Sequence, residues 1–234
     1  MRGCLFILLA GMAVLVGVVW FVGPPLAGAA VEATLTSGGL DADEMDVLVE
    51  SEPPLRLAIG QADRVTIEAA GVEWNNVRAG TMTVELRDVD LVNRTVRTAD
   101  GRLDDVELEQ TDDEGDPLFF AVVFSGPSDE AVTAVSIDRR TAERLAIAAF
   151  EAELDVRPDG ASLVAPDTIR FTSGDQVVSG RLEVTAAGEL QATTPLGIVT
   201  VVESVGLPLE LTDVSVGPSG LELTGTLDVS SLLD

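Results

Sequence analysis

The chain has 234 residues, with 40 Asp and Glu against 14 basic residues and a formal charge of -26. Every basic residue is Arg, and Lys, His and Tyr are absent, which excludes imidazole ligands, His-activated nucleophiles, Schiff bases and Walker lysines. So acidic a surface, without a basic stripe, excludes nucleic acid as a partner; the single Cys, Cys4, allows neither a disulfide framework nor a thiolate metal cluster.

In chain order the first element is an apolar run from Cys4 to Val22, inside an uncharged stretch from Gly3 to Val31. Such a run matches the ~20 helical residues that cross a bilayer's hydrocarbon core. Arg2 precedes it and Glu32, Asp41, Asp43, Glu44 and Asp46 follow, so the positive-inside bias places the chain after Val31 outside the cytoplasm. The run is longer than the ~7–15 residues of a signal-peptide core, which favours a retained anchor. Ala27-Gly28-Ala29 after Pro24-Pro25 keeps cleavage and secretion open as the alternative. Trp20 reads either as an interfacial anchor or as one more apolar residue of the span. The expected organisation is a signal-anchor segment over 1–31, a linker over 32–44 and one domain over 45–234. The expected location is the cell membrane, single-pass, with that domain extracytoplasmic.

After about Leu40, alternation with period two predicts strands. Val65, Ile67 and Ala69 alternate with polar neighbours, as do Met82, Val84 and Leu86, and a phase slip at Arg87-Asp88 predicts a β-bulge before Val89 and Leu91. The pattern returns at Leu182, Val184 and Ala186, at Leu207, Leu209 and Leu211, and at Leu221, Leu223, Leu227 and Val229. Strands with one dry and one wet face belong to antiparallel sheets. Asp100-Gly101, Asp159-Gly160, Gly174-Asp175, Gly188-Glu189 and Ser219-Gly220 read as hairpin turns.

One segment breaks the β pattern. Arg139 to Leu154 contains no Gly or Pro, follows Asp138 as N-cap, and is apolar over more than half its circumference. The expected fold class is therefore α+β: a long curved antiparallel sheet wrapped around one main helix. A groove between them that stays open is a binding site, and a filled one is only a core. With 7 Phe and 2 Trp in the chain, the dry positions are mostly aliphatic, which suits acyl chains better than flat rings or sugars. Leu145, Ile147, Ala149 and Phe150 are the helix residues expected to line such a groove.

The same residues carry a family resemblance. An export segment precedes Pro54-Leu55-Arg56-Leu57 and Arg64-Val65-Thr66-Ile67. A strand begun by Gly80 ends in Val89-Asp90-Leu91, and a helix follows Val135-Ser136-Ile137-Asp138. Late in the chain, Gly206 to Val216 leads into Gly220-Leu221-Glu222-Leu223-Thr224-Gly225. Over roughly 45–230 this resembles the LmeA-like phospholipid-binding family of actinobacterial envelope proteins. The resemblance implies an extracytoplasmic phospholipid-binding protein that supports cell-envelope assembly, with a TULIP-like half-barrel. Its net charge is a departure, because a protein this negative does not seek anionic headgroups by charge.

Other candidates carry less. Asp112-Asp113-Glu114-Gly115-Asp116 lacks the Gly and Glu spacing of a calcium loop and reads as a solvated hairpin tip. A glycosidase pair needs a sugar platform that the missing Tyr and scarce Trp do not provide. Asn93-Arg94-Thr95 is a glycosylation sequon, meaningful only in a glycosylating host. Trp74 is either a loop residue that dips into a membrane or a core residue. Pro195 to Leu207 is either a buried strand or a lip at a cavity mouth. The reading is a non-enzymatic protein without metal or cofactor, whose partners are a membrane and a phospholipid or other acyl lipid. The alternative is an envelope structural or protein-interaction module with a filled core and no ligand.

Overall fold

The computed structural model describes residues 25–74, 77–111, 117–202 and 209–230, and the side chains of 108–118 lie outside it. The Cys4–Val22 run, the Asp112–Asp116 cluster and the end of the Pro195–Leu207 stretch therefore fall outside the described residues. Among those described, no helix is long and apolar enough to cross a membrane.

The described residues begin in a helix, α1, which covers residues 25–37 of them. Ala27, Val31 and Leu35 are four residues apart, so they share one face, and that face packs against the core. Gly38 and Gly39 end the helix: the Gly38 N–H donates to the Thr34 and Leu35 carbonyls, and Gly39 turns the chain at φ 90°. α1 thus spans the end of the expected anchor segment and the first part of the expected linker, whose remainder holds β1 and the start of β2.

The strands are β1 (Leu40–Asp41), β2 (Glu44–Glu50), β3 (Gln61–Trp74), β4 (Val77–Asp90), β5 (Thr98–Thr111), β6 (Pro117–Pro127) and β7 (Ala131–Asp138). The helix α2 (Arg139–Leu154) follows. Then come β8 (Gly160–Val164), β9 (Thr168–Ser173), β10 (Gln176–Val184), β11 (Leu190–Thr194), β12 (Gly197–Val202), β13 (Leu209–Val216) and β14 (Gly220–Leu227). The class is α+β and every described pairing is antiparallel, but the strands form two open sheets rather than one. A nine-stranded sheet runs β1-β3-β4-β5-β6-β7-β14-β13 with β2 also on β3, and a five-stranded meander runs β12-β11-β10-β9-β8.

Alternation places the inner face as expected. Val65, Ile67 and Ala69 on β3, Met82 and Leu86 on β4, and Val135 and Ile137 on β7 are buried, with their neighbours along the strands turned outward. The slip near Asp88 is present, since Leu86 and Val89 are both buried, but it is not a one-sided bulge. β3 slips in step, burying Ala62 and Val65, so the β3–β4 register is unchanged through it; Asp88 absorbs the turn at φ 52°.

Three of the five expected turns close hairpins: Gly174-Asp175, Gly188-Glu189 and Ser219-Gly220. Asp100-Gly101 does not. Gly101 lies within β5 opposite Phe124, whose ring occupies the space a β-carbon there would need. Asp159-Gly160 joins α2 to β8 rather than two strands.

α2 spans the residues expected of it. Asp138 caps it, its Oδ1 accepting from the Arg140 and Thr141 N–H groups at 3.0 and 3.1 Å. The helix is held between the two sheets, mainly against β12 and β8 and more lightly against β14 and β7. Its first turn ties them together: Arg139 donates to the Leu163 carbonyl (3.0 Å) of the small sheet and to the Gly217 carbonyl (2.9 Å) at the end of β13. Replacing Asp138 with Ala is expected to lower stability by about 1 kcal/mol, read as a shift of the denaturation midpoint, while Asp138→Asn, which keeps an acceptor, costs less.

Candidate functional site

At the opposite end of the long sheet from α2, the helix α1 lies over β2, β3 and β4. It approaches closely at Gly28, where a β-carbon would come within 2.6 Å of the Val47 carbonyl oxygen of β2. Two residues on, the short side chain of Ala30 fills little, and a partly open cavity of about 250 Å³ remains between helix and sheet. Its floor is Val65 and Ile67 of β3 with Leu86 and Val89 of β4, all buried, and Val31 and Leu35 of α1 form the facing wall. Ala30 and Thr34 lie at the exposed mouth, beside the turn that follows β4, which contributes Asp90, Leu91, Arg94 and Val96.

That turn is built by Asp90. Its Oδ1 accepts the N–H groups of Val92 (3.0 Å) and Asn93 (2.9 Å), its Oδ2 accepts the Asn93 side-chain amide (2.8 Å), and its backbone pairs with Thr95. The Asn93 N–H and amide donors hold the Asp90 carboxyl below the usual carboxylate range. Arg94, in the left-handed region at φ 54°, is exposed and makes no ion pair among the described residues. Its neighbours differ: Arg64 bonds Glu50 and Glu85, Arg87 bonds Glu85 and Asp100, and Arg97 bonds Asp88.

A second hollow of about 470 Å³ lies among Glu50, Ser51, Glu52, Asp63, Arg64 and Arg87. It is polar and its guanidinium groups are paired, so it is a salt-bridged surface cleft. Among the described residues the buried polar side chains are the hydroxyls of Ser128, Thr133 and Thr194, each bonded to a backbone carbonyl. No described carboxylate is buried, and no three described potential metal ligands cluster.

The four helix residues expected at the site are on α2. Leu145 and Phe150 are buried, and the Phe150 ring packs on Phe171 of β9 with centroids 4.4 Å apart. Ala149 is half-buried against the core, while Ile147 is half-exposed and outside it. None of the four lines the cavity under α1. The α1 wall was missed because its alanines and glycines continue an apolar run; the four-residue spacing of Ala27, Val31 and Leu35 before Gly38-Gly39 is the signal that marks it. Trp74 ends β3, half-buried and paired with Leu40 and Val77, and β12 buries Val199, Val201 and Val202.

An aliphatic cavity between a helix and an antiparallel sheet, with the charged groups of its lining in one turn at its mouth, has the chemistry of a site for a ligand with an apolar body and a polar end. Residues 20–226 match the family model described as LmeA-like phospholipid-binding, and the chain belongs to that family. The match includes α1 and both sheets apart from the last residue of β14. No curated protein and no solved structure matches the chain.

Two measurements follow from this placement. Phe150→Ala is expected to cost about 3–5 kcal/mol of stability, as for a large core side chain, and Ile147→Ala no more than about 1 kcal/mol. The Asp90 carboxyl, followed by NMR, should titrate with its midpoint below the ordinary ~3.9 of Asp. Because its folded value is depressed, the turn's charge-assisted bonds contribute fully above the unfolded value and are lost as pH falls through the folded one. A midpoint at or above the ordinary range would contradict that.

Proposed function

We propose that this protein is a membrane-tethered, extracytoplasmic phospholipid-binding protein that holds lipid without chemical turnover and supports cell-envelope assembly or maintenance. The observation that carries this is the aliphatic cavity between α1 and β3–β4, in a chain of a phospholipid-binding family. An acyl chain is the ligand part that matches a lining of Val, Ile and Leu, at about 0.8 kcal/mol for each buried methylene. At about 250 Å³ the cavity is slightly below the ~300–1,000 Å³ of sites that enclose a drug-sized ligand, so it takes part of one chain and leaves the headgroup outside.

The tether rests on the Cys4–Val22 run, with Arg2 before it and the acidic residues after it. The described part of α1, residues 25–37, lies a few residues after that run in the sequence, so in this reading the cavity it covers is near the bilayer surface. We read the long open sheet, with helices on its inner face, as a TULIP-like half-barrel. A structural or interaction module is the second reading, favoured by the filled packing of Phe150 on Phe171 around α2.

The two readings separate in one experiment. Full-length protein, delipidated in detergent and offered a phospholipid mixture, is expected to show lipid-bound masses by native mass spectrometry. Ala30→Trp, which plugs the exposed mouth without touching the buried floor, should lower lipid occupancy about tenfold. An apo mass at every lipid ratio overturns lipid binding and leaves the structural module.

A further inference from the structure

We propose that the turn over residues 90–96 is the headgroup seat of the cavity, with the Arg94 guanidinium taking the phosphodiester of a phospholipid and Asp90 favouring a head that also carries an ammonium. This rests on the reading of the cavity as an acyl-chain site.

The first observation is position. Floor and wall are aliphatic, and the charged groups lining the cavity, Asp90 and Arg94, are both in this one turn at the mouth. A phospholipid with a tail on Val65, Ile67, Leu86 and Val89 brings its first charged atoms to that place.

The second is availability. In a chain of net charge -26, most arginines are already paired, whereas Arg94 is exposed and without an ion pair among the described residues. A guanidinium offers a fork of N–H donors matched to phosphate oxygens.

The third is the backbone. At φ 54° an Asn or Gly is better suited than Arg, so the turn itself does not call for this residue. Asp90 builds the turn with Val92 and Asn93, and the side chain at 94 is left for another task.

The same geometry sets headgroup preference. The Asp90 carboxylate stays charged, and Asp90 and Arg94 form no direct ion pair, so the mouth presents a separated negative and positive charge. A zwitterionic head complements both. A head with net negative charge satisfies Arg94 but meets Asp90 and the acidic surface within a screening length of about 8–10 Å.

The test offers delipidated full-length protein phosphatidylcholine, phosphatidylglycerol and diacylglycerol of the same chains, with occupancy read by native mass spectrometry. Wild type should prefer phosphatidylcholine over phosphatidylglycerol several-fold. Arg94→Asn, which suits the left-handed position and so keeps the fold, should lower phosphatidylcholine occupancy about fivefold. Arg94→Glu should lower it further, and both should leave diacylglycerol unchanged. Equal occupancy of phosphatidylcholine and phosphatidylglycerol overturns the role of Asp90. An unchanged ratio of phosphatidylcholine to diacylglycerol in Arg94→Asn overturns the headgroup seat while the acyl-chain site stands. Binding of millimolar inorganic phosphate that Arg94→Asn abolishes would make the seat a free-anion site and also overturn it. If Ala30→Trp displaces none of the three lipids, the cavity reading itself has failed, and this inference with it.

Discussion

The inner face of the long sheet must be kept out of water, and the rest of the molecule is arranged around that requirement. Alternation gives every strand a row of Val, Leu, Ile and Ala on one side, and nine such strands make an aliphatic surface that an open sheet cannot cover by itself. The covers come from outside the sheet. α2 and the five-stranded meander close the β7–β14–β13 end, and α1 closes the β2–β3–β4 end. The two covers differ in side-chain size. α2 brings Leu145 and Phe150, both buried, with the Phe150 ring on Phe171. α1 brings Ala27, Gly28 and Ala30, which let its backbone approach β2 at Gly28 and leave a void beyond. The cavity results from covering an apolar surface with small residues, and it is where a guest chain can substitute for side chains the protein does not supply.

Charge is organised separately from this dry layer. The guanidinium groups near the cavity are held by outward-facing carboxylates on their own or adjacent strands, as in Arg64 with Glu50 and Glu85 and Arg87 with Glu85 and Asp100. Exposed pairs of this kind contribute little to stability, about 0–1 kcal/mol each. Their effect is that, in a chain with 40 acidic residues, most of the described arginines are engaged by carboxylates. Attraction to an anionic bilayer therefore does not favour this domain's approach to a membrane, and the proposed function relies on the amino-terminal run and on apolar contact instead.

Local rules made much of the fold legible in the sequence. The cap at Asp138 and the unbroken run to Leu154 defined α2, and the alternating rows around Val65, Met82 and Leu221 defined their strands. Where a distant residue decided the outcome, the sequence was silent. Gly101 has the composition of a turn but continues a strand because Phe124, from the neighbouring strand, lies over it. The division into two sheets was invisible because β8 to β11 alternate in the same way as the strands of the long sheet, and β12, with Val199, Val201 and Val202 all buried, reads only as an apolar run. For the same reason the candidate site was only partly legible. An apolar helix face shows that something must cover Phe150 and cannot show that Phe171 does so, while the face of α1 was hidden in an apolar run that begins before it.

α1 has two roles at once under the proposed tethering. It is the continuation of the apolar amino-terminal run and one wall of the cavity, and Gly38-Gly39 separates it from the strands that follow. Its described contacts with the sheet are made by Ala27, Gly28, Val31 and Leu35, small and aliphatic side chains. The floor it covers, Val65, Ile67, Leu86 and Val89, belongs to long paired strands that stay in place without it. Under the proposed function a lipid tail lies on that same floor against Val31 and Leu35, so helix and ligand share one apolar surface.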